Sequence, residues 1–181
     1  MKTILVILST LIIISFAFIW YSGAFESVKV VETEEEGYLV AGQEFTGSFS
    51  KAGKIISEVD TKLKNMGINC SKGFGIYYDD PKTIPQEKCR SFVGNIIEEK
   101  YLNRVSELKS AGFKIDSIPR SKAVAAELPA KTFLSYMIGP IKVYPVLSKY
   151  ITEHKYKVAY SLEVYDTPEN KITYMMLLHD N

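Results

Sequence analysis

The chain has 181 residues, 46% of them apolar, with 22 Lys and Arg against 21 Asp and Glu. That length and apolar fraction suit one domain of ordinary size and exclude a disordered or collagen-like chain. A net charge of +1 leaves no basic footprint for nucleic acid. Two cysteines make no disulfide scaffold, and without CxxC or paired histidines they point to no metal or other cofactor.

Ile4 to Trp20 is an apolar run interrupted only by Ser9, Thr10 and Ser15. At 1.5 Å per residue it spans roughly 26 Å, enough for a bilayer once Tyr21 to Phe25 contribute. Trp20 and Tyr21 stand where an interfacial aromatic belt belongs. Residues 1–25 therefore read as one N-terminal transmembrane signal-anchor, giving a single-pass protein held through residues 4–21. The alternatives are a cleaved signal peptide, with small residues at Ser22-Gly23-Ala24, and a buried soluble helix. Lys2 is positive on one side, whereas Glu26 to Glu36 holds five Glu and one Lys, so the charge bias puts the bulk of the chain outside the cytoplasm. Residues 26–36 read as an acidic, solvated linker.

Beyond Gly37, strand-like runs and amphipathic segments alternate. Tyr38 to Phe45 reads as a strand, Phe49 to Met66 as a helix with Ile55, Ile56, Val59 and Leu63 at helical spacing, and Gly75 to Tyr78 as a strand. A turn at Asp79-Asp80-Pro81 and a strand over Cys89 to Ile97 follow. Glu99 to Ser110 reads as a helix stopped by Gly112, and Phe113 to Ile118 and Ala123 to Leu128 as strands. Thr132 to Glu153 reads as a kinked helix or two short ones, because Gly139-Pro140 and Pro145 interrupt it. Strands over Ser161 to Tyr165 and Ile172 to Leu178 close the chain. Tyr78-Asp79-Asp80-Pro81 recurs as Tyr165-Asp166-Thr167-Pro168, an offset of 165 − 78 = 87. The reading is an α+β fold of two tandem, pseudo-twofold β-α-β-β modules over residues 37–179.

Gly75-Ile76-Tyr77-Tyr78-Asp79-Asp80-Pro81, followed by Ile84-Pro85-Gln86-Glu87-Lys88-Cys89-Arg90, resembles the signature of GyrI-like small-molecule-binding domains. Leu162-Glu163-Val164-Tyr165 matches the second signature, an acidic residue shortly before a tyrosine. The resemblance implies a GyrI-like, SOUL-like effector-binding fold with the two modules sharing a sheet and a groove between them. Members bind drug-like, often cationic and aromatic, molecules in that groove. Some are effector-binding domains of transcription regulators, some protect against toxins, and a few hydrolyse reactive alkylators. With a membrane segment in front, the chain also resembles the membrane-anchored, testis-expressed branch of the family in animals, an endoplasmic-reticulum autophagy (ER-phagy) receptor. In that branch the domain faces the cytosol, and the receptor motif lies in a tail after the domain. The chain ends at Asn181, three residues past the last strand, so the resemblance carries the anchor and the domain and not the tail.

Side chains on a strand alternate faces. Tyr160, Leu162 and Val164 make the better core set, which turns Ser161, Glu163 and Tyr165 to the groove. The offset of 87 maps Glu163 onto Ile76 and Tyr165 onto Tyr78, giving a groove with two tyrosines, one carboxylate and an aliphatic floor residue. A carboxylate between aromatic faces suits a flat organic cation. The bland alternative is a surface carboxylate on an exposed sheet face. The resemblance implies that the stretch around Cys89 is structural, with Glu87 and Arg90 orienting the turn, and a Cys70–Cys89 disulfide stays open. No G-x-S-x-G elbow and no P-loop ending accompany these residues. The expectation is a monomeric, membrane-anchored, non-enzymatic binding protein for a cationic or aromatic small molecule. The alternatives are a membrane-tethered adaptor and a hydrolase using Glu163 on reactive electrophiles.

Overall fold

The structure, a computed structural model, describes residues 2–179. The apolar run forms one helix, α1 (Lys2–Tyr21), with none of its side chains buried against the rest of the chain. It is long and apolar enough to cross a membrane, as a signal sequence also is.

The acidic stretch is not a free linker. Val31–Glu35 forms the strand β1, which pairs antiparallel with β6 (Ser121–Pro129), Val31 opposite Ala125 and Glu35 opposite Ser121. The sheet therefore begins at Val31 rather than at Gly37. An edge strand needs no apolar alternation, since its backbone bonds to one neighbour only and charged side chains discourage further pairing. The glutamates are also held individually. Glu34 pairs with Arg120 at 3.0 Å, and Glu32 accepts the Tyr150 and Tyr156 hydroxyls at 3.0 and 2.8 Å.

The remaining strands are β2 (Tyr38–Thr46), β3 (Lys72–Tyr77), β4 (Arg90–Ile96), β5 (Lys114–Ile118), β7 (Val158–Asp166) and β8 (Lys171–Leu178). All eight join one sheet in the order β1-β6-β8-β7-β3-β4-β2-β5, with every neighbouring pair antiparallel. The helices are α2 (Ala52–Asn65), α3 (Val105–Ser110) and α4 (Phe133–His154). Chain order within the sheet is β2-α2-β3-β4 and then β6-α4-β7-β8, so the arrangement reads the same way outward from the central β3–β7 pair. The architecture is α+β, as the hydrophobic pattern implied.

The sheet curls. β5 lies at one edge and β6 next to the other, yet only Pro119 and Arg120 separate them in sequence. Ile118 of β5 and Ala123 and Ala125 of β6 accordingly share one core cluster with Phe74, Phe92, Leu162 and Met175. The inner face is thus filled by the sheet's own side chains. The outer face carries the helices: α2 contributes Val59 and Leu63 to a cluster with Ala41, Ile68, Ile97 and Leu108, and α4 packs Val143, Leu147 and Ile151 on Val124, Ala126, Ile172 and Tyr174.

Of the two alternatives for Thr132–Glu153, the single helix is the one formed: α4 runs unbroken for 22 residues with Pro140 and Pro145 inside it. Each proline forfeits a backbone bond, and the buried row Val143, Leu147 and Ile151 holds the helix on the sheet regardless. Thr132 and Ser135 close a capping box at its start, and Lys155, at φ 56°, ends it in the left-handed conformation. The stretch read as one helix over Glu99–Ser110 begins instead as a 3-10 turn, Glu99–Arg104, before α3.

Candidate ligand-binding cleft

α2 and α4 sit on the outer sheet face on either side of the central pair, and between them β3 and β7 floor a cleft of about 1660 Å³. That volume exceeds the common range of small-molecule sites, about 300–1,000 Å³. Ala52, Ile56 and Asp60 line the α2 wall, and Tyr136, Pro140 and Tyr144, one face of α4 at i, i+4 and i+8 spacing, line the other.

Glu163 lies at the floor, 5% exposed. Its register partner across β3–β7 is Gly75, so no side chain stands opposite it. Tyr144 donates to Glu163 Oε1 at 2.8 Å and Tyr165 donates to Oε2 at 2.6 Å. Tyr165 has a single hydroxyl proton, already committed to the carboxylate, so the 3.0 Å contact between the Tyr77 and Tyr165 oxygens has Tyr77 as donor. Among the described residues Glu163 has no Lys or Arg within ion-pairing distance. Burial raises its carboxyl above the ordinary value, and the two tyrosine hydrogen bonds offset part of that rise. Tyr165, Tyr144 and Tyr77 are all pushed well above ordinary phenols, first by burial and next by the nearby Glu163 charge. The site is a buried, hydrogen-bonded carboxylate without a counter-charge among the described residues, ringed by aromatic faces.

Glycines make room for that ring. A Cβ on Gly75 would stand 2.7 Å from the Tyr77 hydroxyl, and one on Gly139 in α4 would stand 1.9 Å from the Tyr174 hydroxyl. Phe49 packs on Tyr77 with ring centroids 4.7 Å apart, and Tyr136 lies 6.1 Å from Tyr165.

Of the residues expected in the groove, Glu163, Tyr165, Ser161 and Tyr78 line the cleft. Ile76 does not. It packs on the inner sheet face with Phe74, Phe92 and Leu162. The twofold relation runs through Gly75 and Glu163, an offset of 163 − 75 = 88, so Tyr77 rather than Tyr78 corresponds to Tyr165. Matching the two Tyr-Asp-x-Pro turns slips the strands by one residue, and a one-residue slip turns every side chain to the other face. Tyr78 follows the end of β3 and lines the cleft away from this pair, packing edge-on against Tyr160 with centroids 6.1 Å apart. Sequence reasoning missed Tyr77, Phe49, Tyr136 and Tyr144. The spacing of the last two along α4 was the available signal.

The turn after β3 is tied by Arg90, whose Nε and Nη2 donate to the two Asp79 carboxylate oxygens at 2.9 and 2.8 Å while its backbone N–H adds a third bond. Those bonds hold the Asp79 carboxyl at about 2. Cys70 and Cys89 are both free thiols, which removes the disulfide reading. Burial, with the Glu98 charge adding to it, pushes Cys70 up to about 11, so its thiolate is scarce at neutral pH.

No protein-family model matches the chain. Testis-expressed protein 264 homolog of Mus musculus is 33% identical over 169 residues, 88% of this chain and 52% of its own length. Testis-expressed protein 264 of Homo sapiens is 31% identical over 169 residues, covering 88% of this chain and 51% of its own. The chain therefore spans about half the length of the curated relatives it matches. Among solved structures, the EcmrR C-terminal domain superposes with a TM-score of 0.59 at 12% identity over 85% of this chain and 99% of that one. SAV2435 bound to tetraphenylphosphonium superposes with a TM-score of 0.52 at 11% identity, over 83% and 94% of the two chains. At such identities the superpositions speak for the fold alone. The chain is thus similar in sequence to testis-expressed protein 264, and its α+β domain shares the fold of the EcmrR C-terminal domain and SAV2435.

Proposed function

We propose that this protein is a membrane-anchored binding protein for organic cations with aromatic character, held in the cleft between α2 and α4. The observation that carries the reading is Glu163, a buried carboxylate bonded by Tyr144 and Tyr165 and lacking a cationic partner among the described residues. An uncompensated buried charge is costly, and an organic cation would neutralise it while Tyr77, Tyr136 and Tyr165 offered ring faces. The cation bound by SAV2435, which shares the fold, is of this class. The anchor is α1, apolar from Ile4 to Trp20 apart from Ser9, Thr10 and Ser15, with none of its side chains buried.

Titration of the full chain in lipid nanodiscs with tetraphenylphosphonium tests the reading by calorimetry. Saturable binding is expected, weakened by Glu163→Gln by about 1.5–3 kcal/mol, the range for a charged hydrogen-bonding group. No saturation by this or other aromatic cations, or equal affinity in Glu163→Gln, overturns it. A catalytic reading rests on the same residue, since a buried carboxyl with a raised pKa suits general acid–base work. Turnover of an alkylating electrophile by the parent, lost in Glu163→Gln, would move the assignment there.

A further inference from the structure

We infer that the N-terminal half of α4 lies in the interfacial layer of the same bilayer that holds α1, so that the domain rests on the membrane with its cleft wall against it. The inference depends on the anchoring reading of α1. From Phe133 to Ile141 the helix carries no charged residue. Phe133, Met137 and Ile141, one turn apart in succession, are 70%, 61% and 75% exposed, and Tyr136 beside them is 47% exposed. Soluble surfaces rarely leave so many large apolar side chains contiguous.

What covers this ridge follows from its attachment to α1. The Phe18 ring lies 6.2 Å from Phe133, so the ridge starts beside the last turn of the apolar helix. The junction is bonded on both sides. Ser135 of α4 donates to the Ser22 carbonyl at 2.7 Å, and the Lys142 ammonium donates to the Ala24 and Glu26 carbonyls at 2.7 and 2.6 Å. A ridge fixed in this way to the end of a spanning helix sits at the depth where that helix leaves the hydrocarbon. Lys131, 5.4 Å from the Tyr21 ring centroid, supplies a cation at headgroup level. Apolar helix faces in that position bury about 5–10 Å into the boundary. Tyr136, Met137 and Ile141 also belong to the cleft wall, so docking sets the mouth of the cleft where amphipathic cations accumulate.

Tryptophan fluorescence in nanodiscs with one copy per disc and brominated acyl chains tests this. The chain has one tryptophan, Trp20, whose quenching reports the anchor by itself. In a Trp20→Phe background, Met137→Trp and Ile141→Trp are both expected to emit blue-shifted light that bromine quenches. Leu102→Trp, in the exposed 3-10 turn bonded to the end of α2, is expected to remain unquenched. Quenched Trp20 with water-like, unquenched emission from both α4 variants overturns the docking and leaves the anchor standing. Unquenched Trp20 overturns the anchor and the docking with it. Quenching at Leu102→Trp equal to that at α4 overturns the assignment of the docked face.

Discussion

Gly75 stands directly opposite Glu163 across the β3–β7 pair, so the buried carboxylate of the cleft faces bare backbone. The missing side chain lets the Tyr77 hydroxyl reach Tyr165, and through it the carboxylate. Position 75 thus shapes the site without touching the acid.

Gly75→Ala should preserve the fold and spoil the site. The new methyl would stand 2.7 Å from the Tyr77 hydroxyl and drive that ring aside, breaking the Tyr77–Tyr165 bond. Overpacking of this kind costs about 1–3 kcal/mol. Urea unfolding should show that loss, and affinity for tetraphenylphosphonium should fall with it. Unchanged affinity would mean that Tyr77 plays no part in the cleft.

Stability should depend on pH through Glu163 in a definite direction. Burial raises the folded carboxyl above its ordinary value of 4.5, so the folded chain binds this proton more tightly than the unfolded one. Stability from this group is full below 4.5 and is lost as pH rises through the folded value. Glu163→Gln abolishes the loss. The variant should therefore gain on the parent as pH rises above 4.5 in urea unfolding. Binding of a cation should release a proton within the same window, and affinity should weaken as pH falls through it. A variant that loses ground as pH rises would contradict a buried, uncompensated carboxylate.

The domain should need its first strand. A chain beginning at Glu26 keeps β1 and the Glu32 bonds to Tyr150 and Tyr156. One beginning at Gly37 leaves the β6 edge unpaired, and open edges invite association. Size-exclusion chromatography should give a single species for the longer chain. The shorter one should melt at lower temperature and self-associate. Equal behaviour of the two would make β1 an accessory to the sheet.

Much of this architecture was legible in the residues. Apolar periodicity located α2, α4 and the seven strands from Tyr38 onward, because one-sided burial imposes periods of 3.6 and 2 on the sequence. Alternation along 159–165 also sorted Leu162 and Val164 inward and Glu163 and Tyr165 toward the cleft, where they are found. β1 was illegible for the opposite reason: an edge strand is held by backbone bonds to β6, which leave no pattern in Val31-Glu32-Thr33-Glu34-Glu35. The pairing of Gly75 with Glu163 could not be read either. Register belongs to two strands far apart in the chain, and equal turn motifs fix it only if the turns join their strands at equal positions. Here they differ by one residue, so Ile76 went to the core and Tyr77 to the site. Local pattern thus decided which segments form and which face each buries. Only the tertiary structure decided which tyrosines meet the carboxylate, because that depends on distances between segments that no local pattern encodes.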